Sequence, residues 1–159
     1  TTVALSRYVT AVASGKKYNY QLMDRIVDAS GKTVKKYKAD YEDISDTLTD
    51  SQWDALHSGM RQVVSTMDRF QGFDIPVAGK TGTAQQTGHA NHGLFIGYAP
   101  YDDPEITIAV RIANGYSSHN AATAARNVIS YYYKETSMKD IKEMKAAGVN
   151  GNTRNSVAD

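Results

Sequence analysis

The most informative stretch of this chain is Ile75-Pro76-Val77-Ala78-Gly79-Lys80-Thr81-Gly82-Thr83-Ala84. An apolar run is followed directly by a lysine, two threonine hydroxyls and a glycine. The apolar run predicts a strand over Ile75–Lys80, with a polar loop after the segment. An ammonium group and two hydroxyls at a strand end can hold an anionic, peptide-like ligand. They supply neither a nucleophile nor a base, so covalent chemistry would require groups elsewhere.

Two more strands are predicted on the C-terminal side of this stretch. One covers His92–Tyr98, and the other covers Ile106–Ile112, where isoleucine and valine alternate strictly with other residues. An alternation with a period of two indicates a strand with one buried face. Pro100 and Asp102-Asp103-Pro104 make the connection between the two strands short and turn-like. Short connections favour an antiparallel meander.

Helices are predicted on both sides of these strands in the sequence. The first covers Val3–Val12 and stops at Gly15. The second begins with the capping-box pattern Thr49-Asp50-Ser51-Gln52. Its apolar stripe, in which we expect the single tryptophan to be a core residue, consists of Trp53, Leu56, Met60, Val63, Val64 and Met67. The last helix is predicted to begin with Asn120 as its cap. The fold class is therefore α+β, with one antiparallel sheet flanked by helices.

The remaining segments are predicted to be a hairpin, a loop and a tail. Leu22–Val27 and Lys32–Tyr37 form the hairpin, and Lys38–Asp46 is expected to be loop. Met138–Ala147 has the pattern of a short amphipathic helix. Residues 148–159 are polar and rich in Asn and Gly, which predicts disorder.

Composition excludes several classes of function. The chain has 159 residues, a net charge of +1 and no cysteine. Disulfides, thiolate metal sites and a cysteine nucleophile are excluded, and the charge does not indicate nucleic-acid binding. No apolar run approaches the roughly 20 residues of a membrane-spanning helix. The chain begins at Thr1-Thr2 without an initiator methionine, so we expect a piece of a longer protein.

Two alternative sites can be weighed from spacing alone. Gly79-Lys80-Thr81 would fit a phosphate-binding loop only with a glycine five positions before Gly79, where the chain has Asp74. His89, Asn91 and His92 resemble a metal cluster but lack a third strong ligand nearby. We therefore expect neither a nucleotide nor a metal, and no cofactor.

The segment with its surroundings resembles the transpeptidase domains of class B penicillin-binding proteins. The family combines S-x-x-K, S-x-N and K-T-G motifs, and Lys80-Thr81-Gly82 matches the third. Similar context comes from Gly59–Val64, Phe95–Pro100 and Ala122–Tyr132. The resemblance runs from about Val3 to Tyr133. It implies that residues 1–136 are the C-terminal portion of a transpeptidase domain, an incomplete half of that fold, and that residues 137–159 are a tail.

The resemblance implies roles for four residues in serine acyl transfer. The Lys80 ammonium would attract the terminal carboxylate of a D-Ala-D-Ala stem peptide or of a β-lactam. Thr81 and Thr83 would be hydroxyl donors, with Thr83 the expected carboxylate contact. Gly82 would let the ligand backbone approach closely. The backbone N–H of Thr83 would form half of the oxyanion hole, and the nucleophilic serine would form the other half.

Two short segments match the sequence patterns of the other two family motifs, S-x-x-K and S-x-N. Ser14-Gly15-Lys16-Lys17 spells S-x-x-K, but its serine falls at the end of a predicted helix instead of its start. Ser118-His119-Asn120 spells S-x-N, but it follows the K-T-G segment, whereas both other motifs precede it in the family. We therefore expect the nucleophile and the base to be absent from this chain.

Three functional hypotheses remain open at this point. The chain is part of a peptidoglycan-cross-linking transpeptidase and inactive alone, or it is a non-catalytic module that binds stem peptides and β-lactams. In the third, it is a structural piece that forms a homodimer through uncovered apolar surface. The resemblance further implies the missing N-terminal part of the same protein as a partner. It also implies a location at the outer face of the bacterial cytoplasmic membrane, with an anchor outside this chain.

Overall fold

A computed structural model describes residues 1–143 of the chain. The four helices and seven strands of this part are, in order, α1 (Thr2–Ser14), β1 (Lys16–Tyr18), β2 (Arg25–Val27), β3 (Thr33–Lys36), β4 (Tyr41–Asp43), α2 (Asp50–Ser65), β5 (Ala78–Ala84), β6 (His92–Ala99), β7 (Ile106–Ile112), α3 (Ser118–Tyr132) and α4 (Met138–Glu143). Short 3-10 turns at Ser45–Thr47 and Asp68–Phe70 lie on either side of α2.

The central sheet is an antiparallel meander in the order β5-β6-β7. Ala78–Ala84 pairs with His92–Tyr98 without a bulge, and β6 pairs with β7 in the same continuous way. The predicted α+β class and the predicted meander are confirmed. Both outer edges of this sheet, along β5 and along β7, lack a further strand within residues 1–143.

Helices cover both faces of the sheet. Phe95 and Ala99 pack with the buried alanines and Ile129 of α3, so we call this side the α3 face. Tyr98 packs with Val9 and Val12 of α1 on the opposite side, the α1 face. Helix α2 contributes Met60 to the α1 side and Val64 to the α3 side. These contacts hold β5 beside α2 at one edge of the sheet.

The strand that carries the lysine was predicted with wrong bounds. The prediction ended it at Lys80, but β5 begins at Ala78 and includes the whole Lys80–Ala84 segment. Pro76 has no N–H for a ladder bond, which delays the start of the strand. Gly82 has little strand preference of its own, but the strand continues through it because β6 pairs with Lys80–Ala84 from Ile96 to His92.

The three predicted helices exist, with one correction. The capping box of α2 is formed by Thr49 and Gln52, and Gly15 ends α1 in the left-handed conformation at φ 66°. The cap of α3 is Ser117, whose hydroxyl accepts from the backbone N–H of His119, and Asn120 lies inside the first turn. Asn120 instead donates from its side chain to the carbonyl of Gly115 at 2.9 Å.

The N-terminal third contains more strand than predicted. The hairpin exists as β2 and β3, but its first strand is only three residues long. The expected loop Lys38–Asp46 contains β4, which pairs with the unpredicted β1 across an intervening hairpin. Trp53 is half-buried instead of enclosed in the core, because its indole N–H reaches outward to the Ser45 carbonyl at 2.8 Å.

At the C-terminus, α4 confirms the start of the predicted helix at Met138. The end of that helix and the predicted disorder of residues 148–159 lie outside the described residues. Among the described helices, none combines the length and the apolar character that a bilayer crossing requires.

Candidate functional site

The lysine, threonine and glycine side of β5 forms an exposed strand edge. Lys80 is exposed, and its ammonium donates to the carbonyl oxygen of its neighbour Thr81 at 3.1 Å. Lys80 pairs with Ile96 on the α1 face, whereas Thr81 pairs with Phe95 on the α3 face. Thr83 shares the α3 face with Thr81 because side chains alternate along a strand. One ligand can meet Lys80 and Thr83 together only if it lies along the strand edge.

The start of β5 is fixed from the α2 side. The guanidinium of Arg61 donates to the carbonyl oxygen of Val77 at 3.1 Å, and Val77 and Ala78 are buried in separate core clusters. Arg61 lies in the segment whose sequence already matched the family context. The edge therefore begins at a rigid point, immediately before the lysine.

Glycines near the site fall into two groups. A Cβ on Gly79 would collide with the Phe95 ring and lie 2.7 Å from the carbonyl oxygen of Ile96. Gly97, its partner across the ladder, lies against the same ring. Gly82 differs, because a Cβ there would meet only the Leu94 Cβ, at an ordinary 3.5 Å. The fold requires Gly79 and Gly97, whereas nothing described in the chain itself requires a glycine at position 82.

A polar cluster closes the far end of the strand. The side-chain amide of Gln86 donates to His92 Nδ1 at 3.0 Å and to Asn114 Oδ1 at 3.0 Å. The backbone N–H of Asn114 also donates to His92 Nδ1, at 3.0 Å. The ends of β5, β6 and β7 are thereby tied together just beyond Thr83. Sequence reasoning missed Gln86 and Asn114; the available signal was an Asn-Gly pair, since Asn tolerates the left-handed φ of 52° found at Asn114.

Two residues of the histidine segment take part in structural hydrogen bonds. His92 Nδ1 already accepts from Asn114, and the Asn91 carbonyl oxygen accepts from the N–H of Tyr116 at 3.1 Å. Across the described residues 1–143, no three His, Cys, Asp or Glu side chains come close enough to hold a metal ion.

The S-x-x-K pattern of Ser14 and Lys17 does not place the serine and the lysine together. Ser14 is the last residue of α1, and its hydroxyl donates to the Thr10 carbonyl at 2.7 Å. Lys17 lies beyond the left-handed Gly15, on β1, where its ammonium pairs with Glu42. A serine and a lysine on one helix face are therefore not formed here.

The S-x-N pattern of Ser118 and Asn120 belongs to the packed start of α3. Ser118 is the first residue of α3 and is 1% exposed, while Asn120 binds Gly115. Gly93 lies so close to the carbonyl of Ser117 that a Cβ could not fit between them. The turn before α3 is thus packed onto the start of β6.

Two tyrosines have strongly raised pKa values. Burial, with a smaller contribution from Tyr101, raises the pKa of Tyr98 to about 12. Burial and a hydrogen bond to Glu105 raise the pKa of Tyr133 to about 12. Both shifts favour the protonated form of the phenol.

Within residues 1–143 the chain combines an α+β fold with a K-T-G strand at an outer edge of the central sheet. The family described as penicillin binding protein transpeptidase domain matches residues 1–130 of this chain. The chain therefore belongs to the penicillin-binding protein transpeptidase family.

Curated relatives are peptidoglycan D,D-transpeptidases named MrdA. The protein of Acinetobacter baumannii is 36% identical over 102 residues, covering 53% of this chain and 15% of that protein. The protein of Haemophilus influenzae is 28% identical over 158 residues, covering 85% of this chain and 24% of that protein. The chain thus spans about a quarter or less of the length of these relatives.

Solved structures agree on the fold. Penicillin-binding protein A of M. tuberculosis, as an imipenem acyl-enzyme complex, matches with a TM-score of 0.73 at 20% identity, covering 84% of this chain and 31% of that chain. PBP2 of Pseudomonas aeruginosa, in complex with WCK 5153, matches with a TM-score of 0.62 at 26% identity, covering 83% of this chain and 30% of that chain.

Proposed function

We propose that this chain is the substrate-binding portion of a peptidoglycan D,D-transpeptidase, and that β5 lines its acyl-transfer cleft. The observation that carries the proposal is the edge position of the K-T-G segment, in a chain that belongs to the transpeptidase family. In this proposal residues 1–136 belong to the transpeptidase domain, residues 137–159 form a tail, and the whole protein acts at the outer face of the cytoplasmic membrane.

Substrate would add along the outer edge of β5 as an extra strand. The ammonium of Lys80 would attract the terminal carboxylate of the D-Ala-D-Ala stem peptide from the α1 side. Thr81 and Thr83 would donate from the α3 side, with Thr83 contacting the carboxylate. Groups from opposite faces can share one ligand because that ligand lies alongside the strand instead of on a face.

The absence of a side chain at Gly82 supports this arrangement. A Cβ at position 82 would meet only ordinary contacts within the chain, so the fold does not require a glycine there. A peptide backbone that approaches the strand closely would require one, because a side chain would block it. The same edge would take a β-lactam, since a β-lactam presents a carboxylate and an acyl group to the site.

Chemistry in this proposal needs a serine from another segment. The N–H of Thr83 would provide one oxyanion donor, and the serine's own N–H would provide the second; a lost donor typically costs about 100- to 1,000-fold in rate. Ser14 and Ser118 are tied into helix ends, which supports a nucleophile and a lysine base outside residues 1–159. Residues 1–159 alone would therefore not form an acyl-enzyme.

Labelling with a fluorescent penicillin tests the catalytic part. We expect no covalent adduct on the isolated chain by denaturing gel or intact mass. An adduct at Ser14 or Ser118 would contradict the proposed absence of a nucleophile.

Binding without chemistry is tested separately by NMR. A peptide ending in D-Ala-D-Ala should shift the amide signals of β5, and one ending in L-Ala-L-Ala should not. Lys80→Ala should abolish the response, whereas Lys139→Ala, an equal charge change on α4, should preserve it. If neither peptide shifts β5, or both variants respond equally, the cleft assignment of β5 is wrong.

A second candidate concerns the isolated chain. The outer edge of β7 is unpaired within residues 1–143, and α3 exposes Val128, Tyr131 and Tyr132 next to it. These observations favour a structural role in which two copies of the chain cover each other at this edge.

The non-catalytic hypothesis makes a different prediction. A module that binds stem peptides without catalysing a reaction would show binding at β5 in the absence of a serine from another segment.

A further inference from the structure

The hairpin of β2 and β3 is exposed along its whole length. Every residue from Asn19 to Lys36 is exposed. The exposed side chains include five large aliphatic ones, namely Leu22, Met23, Ile26, Val27 and Val34. A two-stranded hairpin without packing is marginally stable in water, and exposed apolar side chains in one segment mark interaction sites. The hairpin therefore stands to gain stability from a partner.

The same segment is basic. Between Leu22 and Lys38, five basic side chains oppose two carboxylates, which leaves a net charge of +3. Both carboxylates are already engaged: Asp28 accepts from Ser30 and Lys32 within the turn, and Asp24 lies 3.7 Å from Arg25. The remaining field of the hairpin is positive, which favours an anionic partner.

One face of the hairpin concentrates this charge. Arg25 and Lys36 lie directly opposite each other in the ladder, a like-charge arrangement that destabilises a strand pair. Val27 lies two residues from Arg25 on the same strand and so shares its face. The register shifts between Ile26 and Val27, where Val34 is the extra residue on β3, so Thr33 lies opposite Val27. A carboxylate placed between Arg25 and Lys36 would attract both cations, adding to the contact that Arg25 already has with Asp24, and would lie next to an apolar contact.

The distribution of side chains selects among anionic partners. The tip of the hairpin is Asp28-Ala29-Ser30-Gly31, which offers a carboxylate and no large apolar group for insertion into a lipid surface. The aliphatic residues lie instead within the strands, between the cations. A uniform polyanion would use the charges but would leave Val27 and Ile26 uncovered. A peptide with alternating acidic and apolar side chains would match both.

We propose that the hairpin face bearing Arg25, Val27 and Lys36 is a docking surface for an acidic, apolar-containing segment of another protein. A carboxylate of that segment sits between Arg25 and Lys36, and a neighbouring apolar side chain covers Val27. The surface lies on a different sheet from the proposed cleft at β5.

The test uses the full chain and a labelled peptide of alternating glutamate and valine. Fluorescence anisotropy should show saturable binding that weakens with added salt. Lys36→Glu should weaken it roughly two- to fivefold, the scale of one exposed charge contact. Lys139→Glu, the same charge change on α4, should have little effect. Val27→Thr, which keeps strand preference, should also weaken it.

Weaker binding by Lys36→Glu would not result from loss of the hairpin fold. The substitution places opposite charges across the ladder and should stabilise the hairpin itself. Equal losses for Lys36→Glu and Lys139→Glu would mean general charge attraction and would overturn the proposal. So would equal binding of an all-glutamate peptide or of vesicles of anionic lipid, or no binding of the alternating peptide.

Discussion

Single residues around β5 separate into those that the fold needs and those that only a ligand would need. Gly79 and Gly97 form a flat platform beneath the Phe95 ring, and the ring fills the space that two side chains would occupy. Gly82 has no such neighbour. The motif glycine Gly82 and the packing glycine Gly79, three residues apart, can therefore be distinguished by substitution.

We expect Gly79→Ala and Gly82→Ala to have different consequences. Gly79→Ala forces its Cβ against Phe95 and the Ile96 carbonyl and should lower the free energy of unfolding by about 2 kcal/mol or more. Gly82→Ala should change it by less than about 0.5 kcal/mol. Urea denaturation measures both. A large loss for Gly82→Ala would show that the glycine serves the fold, and would remove one support for the ligand edge.

The polar cluster at the end of β5 gives a second prediction for single residues. His92→Ala removes the acceptor of the Asn114 N–H and of the Gln86 amide, and should cost about 1–2 kcal/mol of the free energy of unfolding. Hydrogen exchange should become faster at the Asn114 amide. Unchanged exchange at that amide would contradict the assigned hydrogen bond.

At the scale of elements, the sequence predicted what local patterns encode. The bounds predicted for Ile106–Ile112 matched β7, and the capping box located the start of α2. The predicted single buried face of β7 was wrong, because the strand is half-buried on both faces, with only Arg111 exposed. Prediction also failed where pairing is non-local. β1 and β4 are three residues each, and their partners lie on opposite sides of a hairpin, so neither strand carries enough pattern of its own. The end of β5 was missed for the same reason, since β6 supplies its strand character.

The cap of α2 gives the clearest prediction for a single element. Thr49→Ala removes the capping-box side chain and should lower the free energy of unfolding by about 1 kcal/mol. Ser58→Ala removes an exposed hydroxyl from the middle of the same helix and should be neutral or slightly stabilising. Thermal unfolding of both variants makes the comparison, and an equal effect would argue against the capping box.

The turn of the β2–β3 hairpin should respond to acid. A hydrogen bond from the Ser30 hydroxyl, followed by the backbone N–H of Lys32, holds the pKa of Asp28 below its usual range. The folded pKa is thus below the unfolded one. The resulting stabilisation is present above the unfolded pKa and is lost as pH falls through the folded pKa. NMR should show the Ser30 and Lys32 amides moving together in that acidic range, and Asp28→Asn should abolish the transition.

At the scale of the whole molecule, the two outer edges of the central sheet have different surroundings. The β5 edge carries an ammonium, hydroxyls and a glycine, which suit a polar ligand. The β7 edge carries half-buried apolar residues and continues into exposed Val128 and Tyr132 of α3. The general fold could be predicted from the sequence. The difference between the polar β5 edge and the apolar β7 edge could not be predicted, because it depends on which strands lie outermost in the sheet.

The apolar edge leads to the prediction for the whole chain, namely that it associates with a second copy in solution. Burying an unpaired strand and its flanking side chains removes apolar area and satisfies free backbone groups at once. Analytical ultracentrifugation should show a concentration-dependent dimer. Val128→Lys with Tyr132→Lys should shift it towards monomer, because two added charges would oppose each other across the pair. Leu22→Lys, at an apolar position on the hairpin that is more exposed than Val128 or Tyr132, should leave the dimer intact. A monomer at all concentrations, or equal disruption by Leu22→Lys, would locate the self-association elsewhere or exclude it.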